Sequence, residues 1–364
     1  MTRKLALPLT VLVLALCTLT LAYAVDTVPA ASELRKSACL ALRGGDSKQA
    51  EQLFSQFLLA YPDSKEAAFA QLTLANLALR GKDTKDAETK LQAVVDKYPS
   101  SPLAPKAMLS IIYLHTRAKA DRPSLIAQYE NLLAKYPDRP QADDARFRIA
   151  KLWQAGPPDL DKAIRLFSEL KSSTKNARWQ AECMIEIALS HIQRYYRTMD
   201  KNPGKENPED FKTGLQMLAD VRLQFPGRAV SICRAETRLA RYYMERLGDQ
   251  SKAEKMLNTV ASEHPKTPGV EEAKYHLAAI TKSKGDLDGC ISQCRQILKD
   301  HPKSGWCDYI LYYIGSVYYE KGDRTAATDT FKQVIVQYPN GLWANVAVDM
   351  IGKMVADPKE GGEK

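Results

Sequence analysis

Apolar positions in this chain recur at the spacing of amphipathic helices, in pairs of segments that end on an aromatic residue or a histidine followed by proline. Neighbouring copies of this dipeptide lie 37 to 39 residues apart, except for one interval of 89 residues that holds a further unit and an insertion. The seven copies are Tyr61-Pro62, Tyr98-Pro99, Tyr136-Pro137, Phe225-Pro226, His264-Pro265, His301-Pro302 and Tyr338-Pro339. A period of this length is typical of stacked helical hairpins, so the sequence predicts an all-α solenoid.

The second helix of each unit carries a small residue followed four positions later by a large one, as in Ala50/Phe54 and Ala327/Phe331. A small side chain lets the neighbouring helix approach, and the large one fills the adjacent groove. Between the two helices stands a Gly-Asp turn, as at Gly322-Asp323, in which Gly ends one helix and Asp caps the next. One such hairpin cannot bury its own apolar face, so the units are expected to stack.

These residues resemble a tetratricopeptide repeat. Leu311-x2-Ile314-Gly315-x2-Tyr318, followed by Ala327-x3-Phe331 and Pro339, is similar to the motif of that family. The Tyr-Pro-x-Ser openings at 61–64 and 98–101 resemble its bacterial envelope branch, which includes the lipoprotein subunit of the outer-membrane β-barrel assembly machinery and the Tol–Pal-associated cell-division coordinator. The resemblance implies a right-handed α-α superhelix of about eight helix-turn-helix repeats with a C-terminal capping helix.

The predicted organisation is a linker at 25–31, a repeat array at 32–339, a capping helix at 340–356 and a disordered tail at 357–364. An insertion at 195–210, polar and with two prolines, is expected to interrupt the fifth unit between its helices. Such a loop is either a tolerated surface feature or a segment that contacts a partner.

Residues 1–24 read as a secretory signal peptide. A short basic start precedes an apolar run from Leu5 to Leu21, and Ala22-Tyr23-Ala24 supplies small residues for cleavage after Ala24. An uncleaved membrane anchor is one alternative, because the apolar run is long. Lipidation at Cys17 is another, although Leu16 stands where a small residue is needed. Each reading predicts a periplasmic or extracellular protein.

Composition narrows the range of partners. With 45% hydrophobic and 26% charged residues, the chain is too apolar for wholesale disorder. Its formal net charge is +9, without a block of Lys and Arg of the kind that binds nucleic acid. The sequence therefore predicts no nucleic-acid partner and a mild preference for acidic partners or anionic surfaces, including peripheral association with a membrane.

No motif for catalysis, metal binding or cofactor binding occurs in the chain. The five histidines include no pair three or four residues apart, and neither Gly-x-Ser-x-Gly, His-Glu-x-x-His nor a phosphate-binding glycine loop is present. The sequence therefore predicts a protein that is not an enzyme and needs no metal and no cofactor.

Six cysteines follow the signal segment, and they allow more than one reading. Cys290 and Cys294 occupy the small and large packing positions of their helix, which favours ordinary core residues. The alternative is a disulfide between Cys294 and Cys307, because the hairpin around His301-Pro302 brings their helices side by side. A pairing of Cys183 with Cys233 is a second, weaker candidate.

The cysteine alternatives predict different thiol counts. Under denaturing conditions, a disulfide lowers the number of titratable thiols by two unless reductant is added, whereas core cysteines give the same count in both cases. Equal counts would reject the bridge.

The first helix of each hairpin is expected to line the concave face of the array. Arg234, Arg238 and Arg241 form a stripe at i, i+4 and i+7, and Arg and Tyr are the residues that anchor protein interfaces. The predicted partner-binding residues are Phe147, Arg148, Lys151, Arg234, Arg238, Arg241, Tyr275, Lys282, Tyr309, Tyr312 and Tyr319. The alternative is a solvated face on which some tyrosines fill gaps between units.

These features favour an exported, non-catalytic scaffold that holds an extended segment or the C-terminus of another envelope protein. The family resemblance implies a role in outer-membrane protein assembly or in coordinating the envelope with division. One alternative is a helical accessory protein of a peptidoglycan- or polysaccharide-processing system. Another is a purely structural spacer.

Overall fold

The structure, a computed structural model, describes residues 29–356. Within that range it contains seventeen α-helices and no strand. The helices are α1 (Ala31–Arg43), α2 (Ser47–Ala60), α3 (Ala67–Arg80), α4 (Thr84–Lys97), α5 (Ala104–Arg117), α6 (Arg122–Lys135), α7 (Pro140–Gln154), α8 (Leu160–Ser173), α9 (Ala177–Lys201), α10 (Pro208–Gln224), α11 (Ala229–Glu245), α12 (Gln250–Glu263), α13 (Val270–Ser283), α14 (Leu287–Asp300), α15 (Cys307–Glu320), α16 (Arg324–Gln337) and α17 (Leu342–Ala356).

The helices follow one another as eight successive pairs, from α1/α2 to α15/α16, and α17 comes after the last pair. In each pair the odd-numbered helix is called the first helix and the even-numbered helix the second. The predicted all-α class of helix-turn-helix repeats is confirmed. The predicted signal peptide at 1–24 and the predicted tail at 357–364 lie outside the described residues. None of the helices between residues 29 and 356 is long and apolar enough to span a membrane.

Aspartates set where most second helices begin. In seven of the eight pairs, an Asp side chain before the second helix accepts a hydrogen bond from the backbone N–H three residues later, which satisfies one of the unpaired donors of the helix start. The capping residues are Asp46, Asp83, Asp121, Asp159, Asp249, Asp286 and Asp323. The periodic Tyr-Pro ends the helix and also joins repeats, since Tyr98 Oη donates a hydrogen bond to the Pro62 carbonyl at 3.1 Å.

The chain divides into two compact units, residues 1–152 and 153–364. In the first, a core around Phe54, Phe57 and Leu74 takes side chains from α1, α2 and α3. In the second, successive cores each join one pair to the next. One of them, for example, combines Cys233 of α11 with Leu257 of α12 and contacts α13. Every pair therefore depends on a neighbour to cover its apolar face.

The segment at 195–210 differs from the expected loop between helices. Helix α9 continues to Lys201 and α10 begins at Pro208, so only 202–207 is non-helical. The added turns of α9 are stabilised by aromatic packing, because the rings of Tyr195 and Tyr196 lie 5.2 and 5.6 Å from that of Phe211 on α10. This contact between separate helices outweighs the polar character of the segment.

Two helical glycines test how closely the helices pack. A Cβ at Gly214 of α10 would lie 2.5 Å from Ile192 Cγ1 and 2.7 Å from the Ala188 carbonyl oxygen of α9, whereas a Cβ at Gly352 of α17 would contact nothing within 4 Å. We expect Gly214→Ala to lower the free energy of unfolding by about 1–3 kcal/mol. We expect Gly352→Ala to raise it by roughly 0.5–1 kcal/mol, since Ala favours the helix. Urea unfolding followed by circular dichroism measures both, and equal effects would contradict the close contact between α9 and α10.

Candidate functional site

Eight of the predicted partner-binding residues lie in the C-terminal unit, on three successive first helices. They are called here the first-helix face and are all half-buried: Arg234, Arg238 and Arg241 on α11, Tyr275 and Lys282 on α13, and Tyr309, Tyr312 and Tyr319 on α15. Helix α11 packs on α13, and α15 packs on α17. Tyr275 of α13 contacts Tyr309 of α15, so these side chains become neighbours through contacts between successive first helices of this unit.

The other three predicted residues lie on α7 in the N-terminal unit. Phe147 and Lys151 are half-buried, and Arg148 is exposed. The Nε of Arg148 is 3.2 Å from Oδ1 of Asp144, one turn earlier on the same helix. An exposed pair of this kind contributes little to stability.

The arginine stripe of α11 is paired with carboxylates. Arg234 forms ion pairs with Glu182 and Glu186 of α9, the second with an Nη2–Oε1 distance of 3.3 Å. Arg238 Nε lies 3.8 Å from Glu272 Oε1 on α13. Glu182, Glu186 and Glu272 are buried, and a buried carboxylate needs a cationic partner. The stripe is therefore a network of mixed charge, in contrast to the basic surface that the sequence suggested.

The third arginine of the stripe is less completely bonded. Arg241 Nε lies 3.6 Å from Glu245 Oε2, which is within ion-pair range but too long for a hydrogen bond. This Nε is buried and has no hydrogen-bond partner.

An aromatic cluster occupies the C-terminal end of the first-helix face. Tyr275 and Tyr309 are joined through their hydroxyl groups, 2.6 Å apart, and their ring centroids are separated by 5.1 Å. Trp306 lies 5.8 Å from the Tyr309 ring, and Trp343 of α17 lies 4.6 Å from it. Burial and the hydrogen bond between the two hydroxyl groups raise the pKa of Tyr275, so its hydroxyl stays protonated.

Beside this cluster is a cavity of about 520 Å³, within the usual size range of ligand sites. Its lining residues are Arg241, Glu245, Tyr275, His276, Gly305, Trp306, Asp308, Tyr309 and Trp343. Three of these belong to the predicted set. Sequence reasoning did not select His276, Trp306 or Trp343, and the only local signal was the position of His276 directly after Tyr275.

His276 is the most buried polar side chain that lines the cavity, with 7% of its surface exposed. Its Nε2 has no hydrogen-bond partner. Burial, together with the positive charges of Arg241 and Arg238, lowers the pKa of His276 to about 4. The imidazole is therefore neutral at neutral pH and can either donate or accept a hydrogen bond.

The cysteines are unbridged in this structure. All six that it describes are free. The Cys294 thiol contacts Cys290 one turn earlier, and this hydrogen bond and burial raise the pKa of Cys294. Cys307 Sγ instead donates to the His301 carbonyl oxygen at 3.3 Å. Cys294 and Cys307 thus have different neighbours in this structure, and the thiol count described above decides between the two readings.

A second polar cluster joins the helices of the fifth pair. The buried carboxylate of Asp210 on α10 lies 2.9 Å from His191 Nδ1 and accepts a hydrogen bond from Arg194 Nε at 2.8 Å. Burial alone would raise the pKa of Asp210, but the hydrogen bonds from Arg194 and His191 outweigh it and lower the pKa. With its oxygens engaged in this way, the carboxylate serves to hold α9 against α10. Across residues 29–356, no three His, Cys, Asp or Glu side chains form a cluster that could hold a metal ion.

Comparison with known proteins gives two family matches. A family described as a tetratricopeptide repeat-like domain matches residues 21–121, and a family described as an outer membrane lipoprotein matches residues 240–355. The resemblance to the tetratricopeptide-repeat family and its envelope branch is thereby confirmed. A search of curated proteins finds no significant match.

Two solved structures illustrate the structural similarity. A tetratricopeptide repeat protein from Parabacteroides merdae is 13% identical, covers 88% of this chain and 97% of its own, and has a TM-score of 0.45. An IFIT1 monomeric mutant with Gppp-AAAA is 14% identical, covers 79% of this chain and 67% of its own, and has a TM-score of 0.44.

The neutral His276 makes stability depend on pH. The unfolded chain takes up a proton near the ordinary pKa of 6.5 and the folded chain only near 4, so folding stability falls as the pH drops through that window. Between pH 7 and pH 5 this single group accounts for about 2 kcal/mol of lost stability. We expect His276→Gln to remove that loss in urea unfolding at the two pH values.

His115 provides the matched control. Hydrogen bonds with Glu88 and Gln128 raise the pKa of His115, so its contribution has the opposite sign and is lost as the pH rises. The His115→Gln variant should therefore lose at least as much stability on acidification as the unsubstituted protein. An unchanged acid loss in His276→Gln would contradict the neutral imidazole.

Proposed function

We propose that this chain, a repeat protein similar to the tetratricopeptide family, is an exported, non-catalytic scaffold that binds another envelope protein through the first-helix face. The observation that carries the proposal is the contiguity of that face. Half-buried Arg and Tyr side chains on three successive first helices are linked by direct contacts. Arg238 of α11 is near Glu272 of α13, and Tyr275 of α13 is bonded to Tyr309 of α15. Tyr312 of α15 packs against Trp343 of α17. Such residues form interface anchors in other proteins.

The side chains of this face are already ordered. Arg234 is held by two carboxylates, and Tyr275 and Tyr309 are held by each other and by the neighbouring rings. A partner that binds there loses little side-chain entropy, because the glutamates and rings have fixed the geometry beforehand. Since each arginine also has an acidic neighbour, selectivity on this face comes from shape and hydrogen bonding more than from net charge. An acidic partner remains a prediction of the sequence, with less support from this pairing.

The location belongs to the same proposal. The similarity of residues 240–355 to an outer membrane lipoprotein family supports an envelope protein. The basic and apolar N-terminal segment supports export, with cleavage after Ala24 or retention as an anchor. Within the envelope, we assign the scaffold to outer-membrane protein assembly or to coordination of the envelope with division.

Photo-crosslinking in the native cell tests the proposed face. A photoreactive phenylalanine analogue is placed at Arg238, whose side chain is 36% exposed and whose ion pair is long. The matched control is Lys299, which is exposed on the second helix α14. We expect a discrete protein adduct from position 238 and none from position 299.

A substitution pair gives an independent readout. Once crosslinking has identified the partner, that partner is captured from cells with the protein that carries no photoreactive residue. We expect Arg238→Gln to lower its recovery about tenfold, which corresponds to the loss of one charged contact at an interface. Lys299→Gln should leave it unchanged. Equal adducts at both positions would reject the first-helix face as the binding site. The absence of any adduct would reject the scaffold and favour a structural spacer.

A further inference from the structure

The cavity beside the aromatic cluster has flat apolar walls. Trp306, Tyr309 and Trp343 line it, and the Trp343 and Tyr309 rings are inclined by 48° with centroids 4.6 Å apart. All three are half-buried. Aromatic faces of this kind bind ligands with their own flat apolar surface through dispersion and contact with the π electrons.

Another part of the cavity lining is polar and unsatisfied. His276 Nε2 and Arg241 Nε are both buried without a hydrogen-bond partner, and both residues line the cavity. An occupant made only of hydrocarbon would leave these two groups without partners, which is costly in a desolvated site. An occupant that brings hydroxyl or carbonyl oxygen atoms to His276 and Arg241 therefore fits this lining better than a hydrocarbon does.

The charges around the cavity are of both signs, with one arginine and two carboxylates in the lining. Arg241 is near Glu245, and Asp308 Oδ1 accepts a hydrogen bond from its neighbour Tyr309 N at 2.8 Å. A cationic ligand would meet Arg241, and an anionic ligand would meet Glu245 and Asp308. The surroundings therefore favour a neutral ligand that can both donate and accept hydrogen bonds.

We propose that this cavity binds a neutral saccharide, with the sugar ring against Trp306 and Trp343 and its hydroxyl groups bonded to His276 and Arg241. A pyranose combines an apolar C–H face with a rim of hydroxyl groups, which is the combination that the walls and the unsatisfied nitrogens require. The inference goes beyond the proposed scaffold function, because it assigns a glycan ligand to a pocket at the end of the first-helix face that shares Arg241, Tyr275 and Tyr309 with that face.

Calorimetric titration of the full chain tests the site with two defined probes, N,N′,N″-triacetylchitotriose and maltotriose. We expect saturable binding of at least one probe at millimolar concentration or below. Trp343→Ala and His276→Gln should each weaken it about tenfold or more, which corresponds to about 1.4 kcal/mol or more. The matched control is Trp179→Ala, since Trp179 lies on α9 outside the residues that line the cavity.

Folding is checked for each variant by circular dichroism, and Tyr309→Phe, which removes only a hydroxyl group, provides a milder change at the wall. No binding of either saccharide by the folded protein would overturn the proposal. Saccharide binding that is unchanged in Trp343→Ala and His276→Gln would overturn it too. The proposal would also be overturned if the protein bound a blocked aromatic tripeptide but no saccharide, and if Trp343→Ala and His276→Gln weakened binding of that tripeptide. Crosslinking at Arg238 is scored separately, so the scaffold and the saccharide site can fail independently.

Discussion

Each helical hairpin in this protein leaves one apolar face that it cannot cover itself, and the rest of the structure depends on how a neighbour covers it. The cores show this directly, since side chains of α11, α12 and α13 share one cluster and those of α13, α14 and α15 share the next. The approach is close: a Cβ at Gly315 would lie 2.7 Å from Phe331 Cε1. Small residues at such positions fix the spacing within a pair and the position of the next pair.

Repetition of this contact brings distant residues together. Glu182 and Arg234 are 52 positions apart, and Tyr275 and Tyr309 are 34 apart, yet each pair is in direct contact. Each first helix contributes its own side chains to the first-helix face. Several aromatic side chains of this face also pack against the cores, as Tyr275 and Tyr312 do, so the face and the cores share residues.

The two ligand surfaces proposed for the C-terminal unit use different physical properties of that face. Arg234 and Arg238 of α11 are ordered by buried glutamates, and an ordered side chain binds a partner with a small entropy loss. The neighbouring cavity instead keeps His276 Nε2 and Arg241 Nε without partners, so it gains most from a ligand that supplies polar atoms. Under the two proposals, a protein and a glycan bind side by side on the same face.

The sequence by itself determined the number of hairpins, the aspartate caps of the second helices and the small and large core positions such as Ala327 and Phe331. These features follow from local spacing and from the preferences of Asp, Gly and Pro, which act within a few residues along the chain. It also placed Arg234, Tyr275 and Tyr309 on first helices, and their role in binding a partner stays a prediction. Only the tertiary structure decided that Glu182 and Glu186 neutralise Arg234, that α9 extends along Phe211, and that His276 faces a cavity without a partner. Those outcomes depend on which side chains meet through space. A local sequence pattern does not specify contacts between residues that are far apart in the chain.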